Sequence, residues 1–192
     1  MAKLTFRYGA MNAGKSTILL QTAYNYEEKN RKVVLLKPKM DTKGESCIVS
    51  RIGLSRKVDY LIDKDDSIVS KLENIVDSLD CILVDEAQFL KRRQVDELFY
   101  ISKIKNVAVI AFGLRTNFKI DGFEGAIRLL ELADSLDEMP TICRCGIKAR
   151  FNARKINGKF VFDGESVVID DQKNVEYESL CGKCFLEKMN KI

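Results

Sequence analysis

A glycine-containing segment near the N-terminus limits the folds open to this chain more than any other part of its sequence. Residues 9–16 read Gly-Ala-Met-Asn-Ala-Gly-Lys-Ser and fit the pattern G-x-x-x-x-G-K-[ST] in full. The alternating segment 3–8 predicts a strand before it, and the segment 16–29 predicts a helix after it. A strand, a glycine turn and a helix in this order are typical of a phosphate-binding loop.

The residue types in this loop suit the binding of a nucleotide. Glycines let the backbone curl so that successive N–H groups point at phosphate oxygens, and the helix adds the positive end of its dipole. We expect Lys15 to reach the terminal phosphates and the Ser16 hydroxyl to coordinate Mg²⁺. The alternative, a chance glycine turn, is disfavoured by the flanking strand and helix.

The remaining segments up to residue 139 alternate between strand and helix patterns. Apolar runs predict strands, and apolar residues at helical spacing predict helices. The predicted strands are 32–36, 58–62, 81–84 and 107–112, the predicted helices are 66–79, 94–104 and 124–133, and 39–57 is expected to be a loop. This order favours an α/β fold of the P-loop (RecA-like) kind, with a mostly parallel sheet flanked by helices.

An acidic pair follows one of the buried strands. Asp85 and Glu86 come directly after the run Cys-Ile-Leu-Val at 81–84. The carboxyl ends of parallel strands face the ligand crevice, so Asp85 is placed to help hold Mg²⁺. Glu86 is then placed to accept a proton from an attacking oxygen, either of water, as in an ATPase, or of a substrate hydroxyl, as in a kinase. A solvated acidic turn is the alternative interpretation.

The chain has six cysteines and no histidine. The lack of histidine excludes Ser-His-Asp or Cys-His activation of a nucleophile and any histidine-ligated metal. Two close pairs, Cys143 with Cys145 and Cys181 with Cys184, provide four thiolates for a structural, tetrahedral Zn²⁺. The alternative is four unligated thiols in a reducing compartment. We predict a nucleotide-binding domain over 1–139 and a small zinc-binding domain over 140–192, with strand-like segments at 159–162 and 167–169 between the two cysteine pairs.

The composition and net charge of the chain bear on whether it binds nucleic acid or a membrane. The net charge is +4, which is too weak a bias for a dedicated nucleic-acid surface. No apolar run is long enough for a membrane span, and the N-terminal segment has no signal-peptide pattern. We therefore expect a cytoplasmic protein that binds neither membrane nor nucleic acid. An ATPase that acts on nucleic acid, or a non-catalytic nucleotide sensor, remains an alternative hypothesis.

Seven segments together give the chain a family resemblance. It resembles the zinc-containing thymidine kinases of animal cytosol and many bacteria, nearly from end to end. The segments are YGAMNAGKS (8–16), LLQTAYNYEE (19–28), VSRIGLS (49–55), VDEAQFL (84–90), FGLRTNF (112–118), TICRCGIKA (141–149) and YESLCGKC (177–184). The resemblance implies transfer of the ATP γ-phosphate to the 5′-hydroxyl of thymidine, with Mg²⁺ for catalysis and a structural Zn²⁺.

The resemblance also implies roles for individual residues. Glu86 corresponds to the catalytic base of the family. The implied ATP and Mg²⁺ site comprises Gly9, Ala10, Met11, Asn12, Ala13, Gly14, Lys15, Ser16, Asp85, Glu86, Ala87 and Gln88. The implied thymidine site comprises Met11, Phe89, Leu114, Phe118, Phe123 and Tyr177. A C-terminal loop over 166–177, anchored by the zinc domain, is expected to cover the base.

Only the family resemblance gives an expectation about the regulation and the assembly of the protein. It implies a homotetramer and feedback inhibition by dTTP. Nothing in the composition or the spacing of residues indicates either property. The sequence also leaves open the strictness for thymidine and the role of Arg51.

Overall fold

The computed structural model describes residues 1–40, 46–164 and 174–189. The predicted strand at 167–169 and part of the predicted covering loop lie outside these ranges. The described strands are β1 (Leu4–Tyr8), β2 (Val33–Pro38), β3 (Cys47–Val49), β4 (Ser55–Lys57), β5 (Tyr60–Ile62), β6 (Cys81–Val84), β7 (Ala108–Gly113), β8 (Ser135–Glu138), β9 (Phe151–Ile156), β10 (Lys159–Val161) and β11 (Val175–Leu180). The described α-helices are α1 (Lys15–Glu28), α2 (Ile68–Leu72), α3 (Arg92–Ile104), α4 (Glu124–Leu132) and α5 (Gly182–Lys188).

The main sheet contains six of the described strands in the order β5-β2-β6-β7-β1-β8, and every pairing in it is parallel. Successive residues of its central strands enter separate cores. Leu83 packs in the cluster that includes α1, whereas Val84 packs in the cluster that includes α3 and α4. Burial on both faces explains why these strands are continuous apolar runs in the sequence. The predicted α/β fold with a mostly parallel, helix-flanked sheet is confirmed.

Two local predictions were wrong. The segment 39–57 was expected to be a loop, but β3 and β4 form an antiparallel hairpin in it. Ile48 of this hairpin is buried in the α1 core, and Arg56 pairs with Glu27 of α1, so tertiary contacts support strands too short to show a period. The predicted helix 66–79 is divided into α2 and a 3-10 turn at Val76–Ser78, with weak helix formers at Asn74 and Asp77.

A smaller antiparallel sheet forms the C-terminal part of the described chain. Its order is β10-β9-β11, and α5 packs against it over a core that contains cysteines and Phe185. Strand β10 agrees with the strand-like segment 159–162, whereas β9 and β11 mix apolar, polar and charged residues and were not predicted. The domain boundary at residues 139 and 140 stays a prediction.

The described helices were compared with the length and hydrophobicity of a membrane span. None of the helices in the described ranges has both the length and the hydrophobicity that crossing a bilayer requires.

Candidate active site and cysteine cluster

The phosphate loop connects β1 to α1, as the sequence predicts. Gly14 takes a φ of 78° at the N-cap of α1, a left-handed conformation that suits glycine. Because the N-cap residue has no side chain, the first-turn N–H groups of α1 receive no side-chain cap and are suited to an anion. The Lys15 ammonium is nearly buried and donates to the carbonyls of Gly9 (3.3 Å) and Ala10 (3.0 Å).

A hydroxyl and a carboxylate meet at the start of α1. Ser16 Oγ donates to Oδ2 of Asp85 at 3.5 Å, and Asp85 follows the last residue of β6. Strand β6 is separated from β1 by β7, so their carboxyl ends open into one crevice. Hydroxyl and carboxylate oxygens are the hard ligands that Mg²⁺ prefers. The donor set therefore fits the predicted metal.

Glu86 occupies an unusual backbone conformation at the edge of this crevice. Its φ is 47°, in the left-handed region, where a non-glycine residue is strained by about 1 kcal/mol or more. Glu86 precedes a 3-10 turn at Ala87–Phe89, and its side chain is half-buried. Such strain persists only where the surrounding contacts enforce it, and it is concentrated at functional sites.

Gln88 is the contact that fixes the Glu86 carboxylate. Its Nε2 donates to Oε2 of Glu86 at 2.6 Å, and its Oε1 accepts the backbone N–H of Leu114 at 3.0 Å. Because Leu114 offers only a donor, the oxygen of the amide must face it and the nitrogen must face Glu86. A Cβ at Gly113 would lie 2.7 Å from Oε1 of Gln88, so the glycine makes room for the amide.

The two members of the predicted ATP and Mg²⁺ site that follow Glu86 are both buried. Ala87 is fully buried, and Gln88 is 1% exposed with its side chain bonded to Glu86 and Leu114. Their assignment to nucleotide binding stays a prediction. The structure gives Gln88 a different contact, with the predicted base, that the sequence motif did not indicate.

Four of the six residues predicted to bind thymidine lie in three groups. Phe89 and Phe123 meet edge to face at 5.6 Å between ring centroids. Leu114 is buried beside Gln88, at the end of β7. Phe118 is buried under the Arg154 guanidinium, whose carbon lies 3.8 Å from the ring centroid. Their joint role in binding a base stays a prediction.

Met11 and Tyr177, the other two predicted thymidine contacts, both involve the C-terminal sheet. Tyr177 is half-buried on β11, directly opposite Arg154 on β9. The N–H of Met11 donates to Oδ1 of Asn152 at 2.7 Å, and its carbonyl accepts from Ser179 Oγ at 2.6 Å. Sequence reasoning missed Asn152, Arg154 and Ser179, because they carry no motif and reach Met11 or Phe118 only through tertiary packing.

The four paired cysteines converge on one point. Their sulfur atoms all lie within 4.8 Å of one another, and the Sγ atoms of Cys145 and Cys181 are 3.6 Å apart. A tetrahedral zinc with Zn–S bonds of about 2.3 Å needs sulfur atoms separated by about 3.8 Å. The cluster therefore fits Zn²⁺ held by Cys143, Cys145, Cys181 and Cys184.

The acidities of these thiols also suit a cation. Burial acts to raise the pKa of Cys143, but hydrogen bonds from the backbone of Cys145 and Cys181 and from neighbouring thiols lower it to about 7. The pKa of Cys184 is raised to about 12, first by the side chains of Cys145 and Cys181 and then by burial. Several thiolates cannot coexist here without a nearby positive charge, and a bound Zn²⁺ would supply that charge.

These features define a class of protein. A phosphate loop between a parallel strand and a helix, with carboxylates at the end of a nearby strand, is the nucleotide site of a P-loop protein. A sequence model of the thymidine kinase family matches residues 2–185. The chain belongs to the thymidine kinase family.

Individual relatives match the sequence of this chain over nearly their whole length. The chain is 43% identical to a thymidine kinase of Francisella tularensis, with 97% of this chain and 98% of the relative covered. It is 42% identical to a thymidine kinase of Mannheimia succiniciproducens, over 100% of this chain and 99% of the relative. It is 43% identical to the thymidine kinase of Enterobacteria phage T4, over the full length of both.

Proposed function

We propose that this chain is an ATP-dependent thymidine kinase, which transfers the γ-phosphate of ATP to the 5′-hydroxyl of thymidine. The observation that carries the proposal is the position of Glu86 in a member of this family. Gln88 holds one oxygen of its carboxylate, at the edge of the crevice that contains Ser16, Lys15 and Asp85. The products are ADP and thymidine monophosphate.

The phosphate loop supplies most of the binding energy for ATP. Its N–H groups and the first turn of α1 surround the phosphates, while Lys15 exchanges its bonds to Gly9 and Ala10 for bonds to the nucleotide. Ser16 and Asp85 would hold Mg²⁺, which would supply positive charge against the phosphates. Placing two substrates in line provides much of the rate enhancement in phosphoryl transfer.

Glu86 acts as the general base. Oε2 is engaged by Gln88, and Oε1 is the oxygen that we assign to the 5′-hydroxyl of thymidine. As the hydroxyl oxygen bonds to the γ-phosphorus, its proton passes to Glu86, and the bond from phosphorus to the β,γ-bridging oxygen breaks. With no histidine in the chain, no imidazole competes for this role.

The apolar residues give the base a surface of suitable shape. Phe89 with Phe123, Leu114, Phe118 and Met11 offer aromatic and aliphatic contacts for a flat pyrimidine. Tyr177 and the covering loop complete this site in our proposal. Zn²⁺ at the four cysteines would restrain the end of β11 at Cys181, and β11 contains the last residues of the expected loop. We also propose a homotetramer in the cytoplasm, inhibited by dTTP, on the strength of the family resemblance.

One assay tests the proposed activity. Purified chain is incubated with ATP, Mg²⁺ and, separately, thymidine, deoxycytidine, deoxyuridine and deoxyadenosine, and the nucleotides are separated. We expect thymidine monophosphate and ADP in equal amounts, and no product with Lys15→Met. Another monophosphate as the main product would change the substrate, whereas ATP hydrolysis stimulated by single-stranded DNA, without any monophosphate, would contradict the proposal.

A further inference from the structure

We propose that Asn152 and Ser179 are positioning residues that set the shape of the phosphate loop from the cysteine-bearing C-terminal sheet. Together they hold both backbone polar groups of Met11, the third residue of that loop. The inference rests on the proposed function in one respect, namely that this loop binds the phosphates of ATP. It assigns the C-terminal sheet a task in ATP binding, in addition to the proposed covering of thymidine.

The two contacts form a matched pair. Asn152 on β9 and Ser179 on β11 are directly opposite each other in the antiparallel register, so their side chains project from the same face. Their bonds to Met11 are short, at 2.7 and 2.6 Å, and both side chains are buried, with 4% and 7% exposed. Both contacts are partly buried, so water is a poor substitute for a lost partner, and removing either bond leaves a partly buried group of Met11 unsatisfied.

Fixing Met11 fixes the course of the loop. Because its N–H is directed to Asn152, Met11 is not a phosphate donor, and the donors are the N–H groups that follow it. Asn12 turns the chain with a φ of 67°, and the N–H of Ala13 reaches back to the carbonyl of Ala10 at 3.3 Å. With Met11 held on both sides, the turn between Gly9 and Gly14 has a fixed starting point.

The strands that carry this pair are tied to the cysteine cluster. Ser179 lies two residues before Cys181, and its neighbour Leu180 pairs with Phe151. The N–H of Arg150 donates to the Leu180 carbonyl at 3.0 Å, which joins the entry to β9 with the end of β11. Cys181 of the sulfur cluster directly follows the end of β11, two residues after Ser179, and a Zn²⁺ bound there would restrain that strand end.

Equilibrium binding of Mg-ADP without nucleoside, by calorimetry, tests the inference. Ser179→Ala removes the donor to Met11, whereas Ser179→Thr retains it. Ser102→Ala is a matched control, because the buried Ser102 hydroxyl also donates to a backbone carbonyl, that of Phe99 at 2.8 Å, within α3. We expect roughly five- to tenfold weaker ADP binding in Ser179→Ala. Binding in the threonine and Ser102 variants should stay within about twofold of the unaltered chain.

Two results would overturn the inference. One is ADP affinity in Ser179→Ala equal to that of the unaltered chain, and the other is equal weakening in Ser102→Ala. If Ser179→Ala does not fold, hydrogen exchange on the unaltered chain decides. The Met11 N–H should then exchange as slowly as those of β11, and exchange at the rate of an exposed loop would refute the inference. Absence of thymidine monophosphate from the unaltered chain would contradict the proposed function but not this binding comparison.

Discussion

Replacing Gln88 by methionine removes two hydrogen bonds from one buried side chain while nearly preserving its length and volume. The first is the bond from Nε2 to the Glu86 carboxylate (2.6 Å), and the second is the bond that Oε1 accepts from the Leu114 N–H (3.0 Å). If Gln88 positions the base, the variant should bind nucleotide normally and transfer phosphate slowly.

The size of the effect follows from the type of each bond. A hydrogen bond to a charged group contributes about 1.5–3 kcal/mol, and a factor of ten in rate corresponds to about 1.4 kcal/mol. If this contribution is realised mainly in the transition state, kcat falls roughly 10- to 150-fold. The buried Leu114 N–H loses its partner as well, which destabilises the fold by about 1–3 kcal/mol.

Steady-state kinetics with thymidine and ATP, together with the Kd of Mg-ADP, provide the assay. Gln94→Met is the matched control, because Gln94 is equally buried and also bonds at both ends of its amide, to the Lys91 N–H and to the carbonyls of Asp63 and Asp66. We expect Gln94→Met to lose similar stability and to retain kcat. The reasoning is refuted if Gln88→Met keeps kcat within about twofold, or if Gln94→Met slows turnover equally.

Three further predictions concern the base, the metal and acid stability. Glu86→Gln should lower kcat by about two to four orders of magnitude with ADP affinity unchanged, and turnover near that of the unaltered chain would exclude Glu86 as the base. Cys184→Ser should lose the bound zinc, measured by mass spectrometry, and melt roughly 5 °C or more lower, whereas Cys47→Ser should keep roughly one zinc per chain. The hydrogen bond from Lys103 is the main cause that lowers the pKa of Asp134 in the folded chain. The ionised carboxylate therefore stabilises the fold at every pH above the unfolded-state pKa. This stabilisation is lost as the pH falls through the folded-state pKa. Asp134→Asn should therefore lower the melting temperature at pH 7, with the difference shrinking below about pH 4; a constant difference down to pH 2 would contradict this.

The segments that the sequence predicted well share a local cause. Strands β6 and β7 are continuous apolar runs because both of their faces are buried, and the phosphate loop is specified by residues adjacent in the chain. The strands that were missed depend on distant partners instead. Strand β9 has only alternate residues in the core, and on its other face Asn152 contacts Met11 and Arg154 stacks on Phe118. No local periodicity in the sequence indicates such a face.

The candidate site likewise contains residues that local spacing predicted and contacts that depend on distant parts of the chain. The spacing of residues predicted roles for Lys15, Ser16, Asp85 and Glu86, since each follows or begins an element that the pattern defines. The sequence did not predict that Gln88 links the Glu86 carboxylate to the Leu114 N–H, because this link depends on Leu114 at the end of a neighbouring strand. The same holds for Arg154 over Phe118, where two side chains from separate sheets are stacked.

By itself, the sequence determined the fold class, the nucleotide loop, the four-cysteine set and the family of this chain. These are properties of residue type and short spacing, which determine local backbone geometry and ligand chemistry. Only the tertiary structure decided which oxygen of Glu86 is engaged and how Met11 is held. Those contacts join residues far apart in the chain, and their geometry is set by the packing of one sheet against another.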